Sequence, residues 1–174
     1  MIRASFEARE VSRNVQANVT VGSLRSLAVD DASAAGTIDR YLEAARANDI
    51  DALLETLSDD PELVSPLSGR MVFRGREDLR VLLRIVYGSL RGVSWQAPVC
   101  DGDRCVALGE SRVGPAHRYD VTVFELADDG RIQRIRPFVR PWLALSIDAL
   151  VVGPKMALHL GVVWRALRTP RAGR

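Results

Sequence analysis

Residues 37–66 read TIDRYLEAARANDIDALLETLSDDPELVSP. Ile38, Tyr41, Leu42 and Ala45 recur at helical spacing, and Thr37 stands where an N-cap would. Asn48-Asp49 interrupts the pattern. Ile50, Leu53, Leu54 and Leu57 resume it, and Ser58-Asp59-Asp60-Pro61 ends it. A brief strand follows over Glu62–Pro66. Two short amphipathic helices running into a strand that stops at a proline are the feature that decides the fold.

Downstream, Met71–Phe73 reads as a second strand, and Gly75 precedes a helix expected over Arg76–Leu90, whose apolar side is broad. The period then changes to two. Strands are expected at Val93–Val99, Arg104–Ser111, Arg118–Leu126 and Arg131–Val139, with turns at Asp101-Gly102, Gly114-Pro115 and Asp128-Asp129-Gly130. Helices first and an antiparallel meander afterwards make an α+β domain. It is expected over residues 35–145.

Residues 1–34 show no period and read as a disordered arm. Residues 146–174 form an apolar, basic-ended tail. Trp142–Leu150 and Lys155–Leu167 are expected as two helical pieces hinged at Gly153-Pro154, each too short to span a bilayer. Their apolar sides must be hidden against the domain, a partner subunit or a membrane surface.

The chain has 174 residues and a formal net charge of +2, which gives it no overall nucleic-acid footprint. The basic excess sits in the tail, where residues 140–174 carry six basic residues against one acid. Two cysteines and two histidines are too few for a zinc site, and no carboxylate cluster suggests another metal, so neither metal nor cofactor is expected. No signal peptide is apparent. The cytoplasm is the expected compartment, with Cys100 and Cys105 as free thiols.

The helix pair with its Ser58-Asp59-Asp60-Pro61 ending resembles the opening of the SnoaL-like, or nuclear transport factor 2-like, superfamily. Phe73-Arg74-Gly75-Arg76-Glu77 resembles its approach to the third helix, and Asp128-Asp129-Gly130-Arg131 its last hairpin. The resemblance implies a cone, a curved antiparallel sheet around a pocket closed by three N-terminal helices. Members include ketosteroid isomerases, polyketide cyclases, epoxide hydrolases, dehydratases and non-catalytic binding modules, so the fold does not give the function.

The isomerases of that superfamily use a Tyr on the first helix, an Asp before proline on the first strand, and a protonated Asp on a later strand. The matching positions here are Tyr41, Ser65 and Thr122. Only the tyrosine is kept, and a lone serine hydroxyl is too weak a base to take a proton from carbon. Strand alternation places Asp120, Thr122 and Phe124 on one face. If that face lines the pocket, Asp120 becomes a buried acid with a raised pKa. Otherwise it pairs with an arginine such as Arg118 or Arg112. Family analogy directs Ile135, Pro137 and Val139 inward. Tyr41 and Asp120 are thus the candidate catalytic pair, and Ser65, Thr122, Phe124, Ile135 and Val139 the candidate ligand contacts.

Three functions follow from these readings. The first is a pocket for a small apolar molecule with isomerase, cyclase or dehydratase chemistry. The second is a non-catalytic binding or dimerisation module. The third is a peripheral membrane protein held by its tail. A homodimer through the outer sheet face is expected, because Val121, Val123 and Phe138 would be costly to leave exposed together.

Overall fold

The computed structural model describes residues 32–68 and 70–168. The expected arm, residues 1–34, lies almost entirely outside the described residues. The first helix, α1, includes residues 32–47. Thr37 is therefore a buried residue inside the helix and not its cap. Asn48 ends α1 with a positive φ of 54°. Asp49 caps the second helix, α2 (Ile50–Glu55), by accepting a 3.0 Å hydrogen bond from the Ala52 amide.

The first strand, β1, runs Leu57–Val64, so the acidic Ser58–Pro61 stretch is strand and not a helix end. Leu57 and Leu63 face the core, while Asp59 and Asp60, in the irregular stretch between the β7-paired Leu57 and Glu62, project into solvent, so the strand buries neither charge. The hairpin strand β2 is Val72–Arg74. The third helix, α3 (Arg76–Tyr87), buries Leu79, Leu82 and Leu83. The strands β3 (Leu90–Trp95), β4 (Val99–Asp101), β5 (Arg104–Val113), β6 (Ala116–Leu126) and β7 (Ile132–Arg140) follow.

The sheet order is β2-β1-β7-β6-β5-β3, with β4 also paired to β5. All these pairs are antiparallel except β1 with β7, which is parallel, so the sheet is mixed. Register shifts interrupt the β1–β7, β3–β5 and β6–β7 ladders. Bulges bend and twist a sheet, and here they accompany an open, curved surface. Strict alternation along β5 and β6 separates a buried concave face from an exposed convex one. Ile38, Leu42, Leu53, Leu54, Phe124 and Ile132 form the core between helices and sheet.

Beyond the sheet, α4 runs Trp142–Ala157 and α5 runs Leu160–Arg168, bent by 112° at the break. The hinge expected at Gly153-Pro154 is displaced to Leu158-His159. Pro154 removes only the hydrogen bond to the Leu150 carbonyl, and Leu150 is 75% exposed, on a side of the helix open to solvent. The helix therefore passes through the proline. Arg165 holds α5 to α3 through the Asp78 carboxylate, with Nε donating at 2.9 Å.

Cys100 and Cys105 are joined by a disulfide, which overturns the free-thiol expectation. The turn is Gly102-Asp103 and not Asp101-Gly102. That one-residue shift sets Asp101 opposite Arg104 and brings the two cysteines face to face.

Candidate active site

The concave face and the helices enclose a cavity of about 340 Å³. Its lining is mostly apolar, and its charged and phenolic groups converge from four elements. Tyr41 comes from α1, Tyr87 from the end of α3, Arg118 and Asp120 from β6, and Asp148 from α4. Arg118 and Asp120 point inward together because they are two residues apart on one strand. Asp148 reaches them from the opposite side because α4 lies across β6 and β7.

The Arg118 guanidinium stands between two carboxylates. Nη2 is 2.8 Å from Asp120 Oδ1, and Nε is 3.1 Å from Asp148 Oδ2. The three side chains are 7%, 5% and 11% exposed respectively. These are ion pairs by distance without hydrogen-bond alignment. Arg118 Nε, Asp120 Oδ1 and Asp148 Oδ1 all lack a well-directed partner among the described residues. Buried polar atoms of this kind are rare and costly unless something else satisfies them.

Burial is the main cause that pushes Asp120 up to about 6, and Asp148 adds to it, while Arg118 works in the opposite direction. Burial also raises Asp148 above the ordinary aspartate range, again against the pull of Arg118. One positive charge faces two acids, so ionising both would leave a net negative charge in an apolar enclosure. The arrangement disfavours ionising both acids at once.

The Tyr41 and Tyr87 hydroxyls lie 3.3 Å apart. Burial, then the neighbouring Tyr87, raises Tyr41 well above its ordinary value, and burial pushes Tyr87 up to about 12. Both phenols are neutral donors at physiological pH. Only one proton is used in the bond between them, so the other is available to an acceptor in the cavity.

Of the residues singled out from sequence, Tyr41, Ser65, Asp120, Thr122 and Ile135 line this one cavity. Phe124 does not line it. That ring is fully buried in the core and packs edge-on against Tyr41, with centroids 5.2 Å apart. Val139 is half-buried and also outside the lining. The two sequence alternatives for Asp120 hold together: it is buried in the cavity, and it is paired with Arg118. Sequence reasoning missed Asp148 and Tyr87. Asp148 carried a usable signal, because a single acid inside the apolar run Trp142–Val152 needs a buried partner. Arg134 and Arg136 meet Glu62 and Glu125 of the same chain, so their acid partners are internal.

The described residues contain no cluster of three or more potential metal ligands. The fold is similar to a protein with a cystatin-like fold from Silicibacter pomeroyi, with a TM-score of 0.69 and 17% identity over 75% of this chain and 93% of the other. It is also similar to a steroid delta-isomerase from Pseudomonas aeruginosa, with a TM-score of 0.66 and 23% identity over 75% and 96%. An LEH-like epoxide hydrolase from M. tuberculosis matches with a TM-score of 0.53 and 23% identity over 75% and 98%. A search of curated proteins gave no significant match. The profile of the SnoaL-like domain matches residues 38–135, which contain the β6 pair Arg118 and Asp120 and most of the sheet around them. With the curved sheet and its helix-closed cavity, that match establishes that the chain belongs to the SnoaL-like domain family.

Proposed function

We propose that this chain is a hydrolase that adds water across an epoxide carried on a small apolar molecule. One observation carries the reading, the buried Asp120–Arg118–Asp148 triad in the wall of an apolar cavity. A proton shared by two carboxylates supplies a general acid and a general base at the same time.

Asp120, the more strongly raised acid, gives its proton to the epoxide oxygen as the C–O bond breaks. Asp148, as carboxylate, takes a proton from the water whose oxygen bonds to that carbon. The product is a diol, and the two aspartates have exchanged protonation states. Transfer of the proton back to Asp120 closes the cycle. Arg118 keeps the pair bound and near neutral throughout. The free phenolic proton of the Tyr41–Tyr87 pair can polarise the same oxygen. Ser65, Thr122 and Ile135 contact the ligand beside them. The similar fold of the epoxide hydrolase from M. tuberculosis supports this reading.

The direct test is a single turnover in ¹⁸O-labelled water with an apolar epoxide such as a terpene or styrene oxide. Attack by water places the label in the diol on the first turnover. A label appearing first in an aspartate would mean a covalent ester and would remove the scheme. A cavity lined by Tyr41 and Asp120 also weighs against a non-catalytic binding module, which would not need two unsatisfied buried acids.

Ketosteroid isomerisation is not expected. The position before Pro66 is Ser65, and Asp120 is tied to Arg118. An assay with a β,γ-unsaturated ketosteroid should show no turnover above the buffer rate. Turnover abolished by Asp120→Asn would instead identify Asp120 as the proton carrier between carbons.

We further propose a homodimer through the convex face. Tyr119 and Phe138 are 50% and 56% exposed there, beside Leu108 and Val121 on paired strands. Val121→Glu should convert the dimer to monomer in light scattering, and a wild-type monomer at micromolar concentration would refute this. The cytoplasm stays the proposed compartment. Trapping thiols at lysis tests that placement, since a Cys100–Cys105 bond found intact in cells would instead point to an oxidising compartment.

A further inference from the structure

The cavity lining includes residues that are themselves exposed, and these mark where it opens. On one side is Leu67, in the turn after β1, 52% exposed. On the other is Leu160, 71% exposed, with Ala157 beside it at the α4–α5 bend. The mouth therefore lies between that turn and the bend.

The bend also carries a cluster of exposed apolar side chains. Leu160, Trp164 and Leu167 fall at i, i+4 and i+7 along one face of α5, and Leu158 stands at the corner, 84% exposed. Basic groups border this face. Arg168 stacks on the Trp164 ring at 3.2 Å, and Lys155 lies one turn before the corner. Residues 140–174 contain a single acid, Asp148, which is buried against Arg118. The exposed surface of these helices is thus apolar and cationic with no exposed acid among the described residues.

We propose that the α4–α5 corner docks on an anionic lipid surface, with the cavity mouth facing the membrane, so that apolar ligand passes from the bilayer into the cavity without crossing water. The apolar-ligand part of this proposal rests on the proposed function. The docking part stands on the surface alone. Leucine and tryptophan on one face with arginine and lysine at its border is the composition of a helix lying in the membrane interface. A protein partner would have to bring both an apolar patch and an acidic border of matching shape, which an anionic bilayer supplies together over any area. A spanning role does not fit either. No single helix among the described residues is long and apolar enough to cross, the pair is bent by 112°, and Asp148 ties α4 to the sheet.

The test is co-sedimentation of the full chain with vesicles of phosphatidylcholine alone or with one quarter phosphatidylglycerol. Wild type should bind the anionic vesicles at least about tenfold more tightly than the neutral ones, and added salt should weaken that binding. Leu158→Glu with Trp164→Glu should reduce binding at least about tenfold. Neither side chain lines the cavity, so hydrolysis of a water-dispersed epoxide should be unchanged in this variant. No binding of the folded wild type to either vesicle would overturn the proposal. So would self-association that the double variant dissolves, since a second copy would then be the occupant. Vesicle binding without hydrolysis of any epoxide would support docking and remove only the hydrolase reading.

Discussion

Asp148→Asn should lower kcat/KM for epoxide hydrolysis by about a hundred- to ten-thousand-fold while leaving the chain folded. Asparagine keeps the shape and a hydrogen-bonding oxygen for Arg118 but cannot take a proton from water. Asp120→Asn should do the same by removing the acid. The double variant should be little worse than either single one, because the two act as one proton-sharing unit. In wild type, kcat/KM should fall as pH rises through about 6, where Asp120 loses its proton. It should fall again at lower pH as Asp148 gains one, and both limbs will report the pair rather than single residues. A loss below about threefold in Asp148→Asn would place the base elsewhere.

Arg118→Leu should cost about 3–5 kcal/mol of stability, since it leaves two buried acids without their cation. The loss should depend on pH. Asp120 is raised from 3.8 to about 6, so its contribution to stability is full below pH 3.8 and is lost as pH rises through about 6. Without Arg118 nothing offsets the ionised pair above that point. Urea denaturation should therefore show a larger gap between variant and wild type at pH 8 than at pH 5. Adding Asp120→Asn and Asp148→Asn to the Arg118→Leu chain should recover much of the difference. An equal gap at both pH values would show that packing, and not charge, is what Arg118 supplies.

The fold was legible because its signals are local. Helical spacing from Ile38 to Leu54, the glycine-marked turns and the alternation in β5 and β6 each follow from neighbours within a few residues. The errors fall where distant partners decide. Ser58–Pro61 is carried as an irregular stretch of β1 because Leu57 before it and Glu62 after it both pair with β7, and the Ile132 amide donates to the Thr56 carbonyl at 2.9 Å. The disulfide turned on a one-residue difference in turn position, which the Asp101-Gly102 dipeptide did not reveal.

The candidate site was half legible for the same reason. Tyr41 and Asp120 could be placed by superfamily resemblance and strand alternation. Tyr87 ends a helix whose apolar side looked complete without it, and Asp148 sits in α4, beyond the matched segment 38–135. No local pattern says that a helix after the last strand will return its one acid to the arginine of β6.

The parallel pairing of β1 with β7 also governs when this protein can acquire its shape during synthesis. Glu62 and Arg134 are ladder partners 72 residues apart in sequence. An emerging chain exposes β1 long before its neighbour exists, with only the three-residue β2 to pair with. Closing so long a loop is entropically expensive, and contacts of this range slow folding. The β5–β6 hairpin, joined by a tight turn at Gly114-Pro115, is local and can form first as a template on which β7 and then β1 are laid. A ribosome stalled with only residues up to 126 outside its tunnel should hold a protease-sensitive chain, and protection should appear abruptly once β7 has emerged.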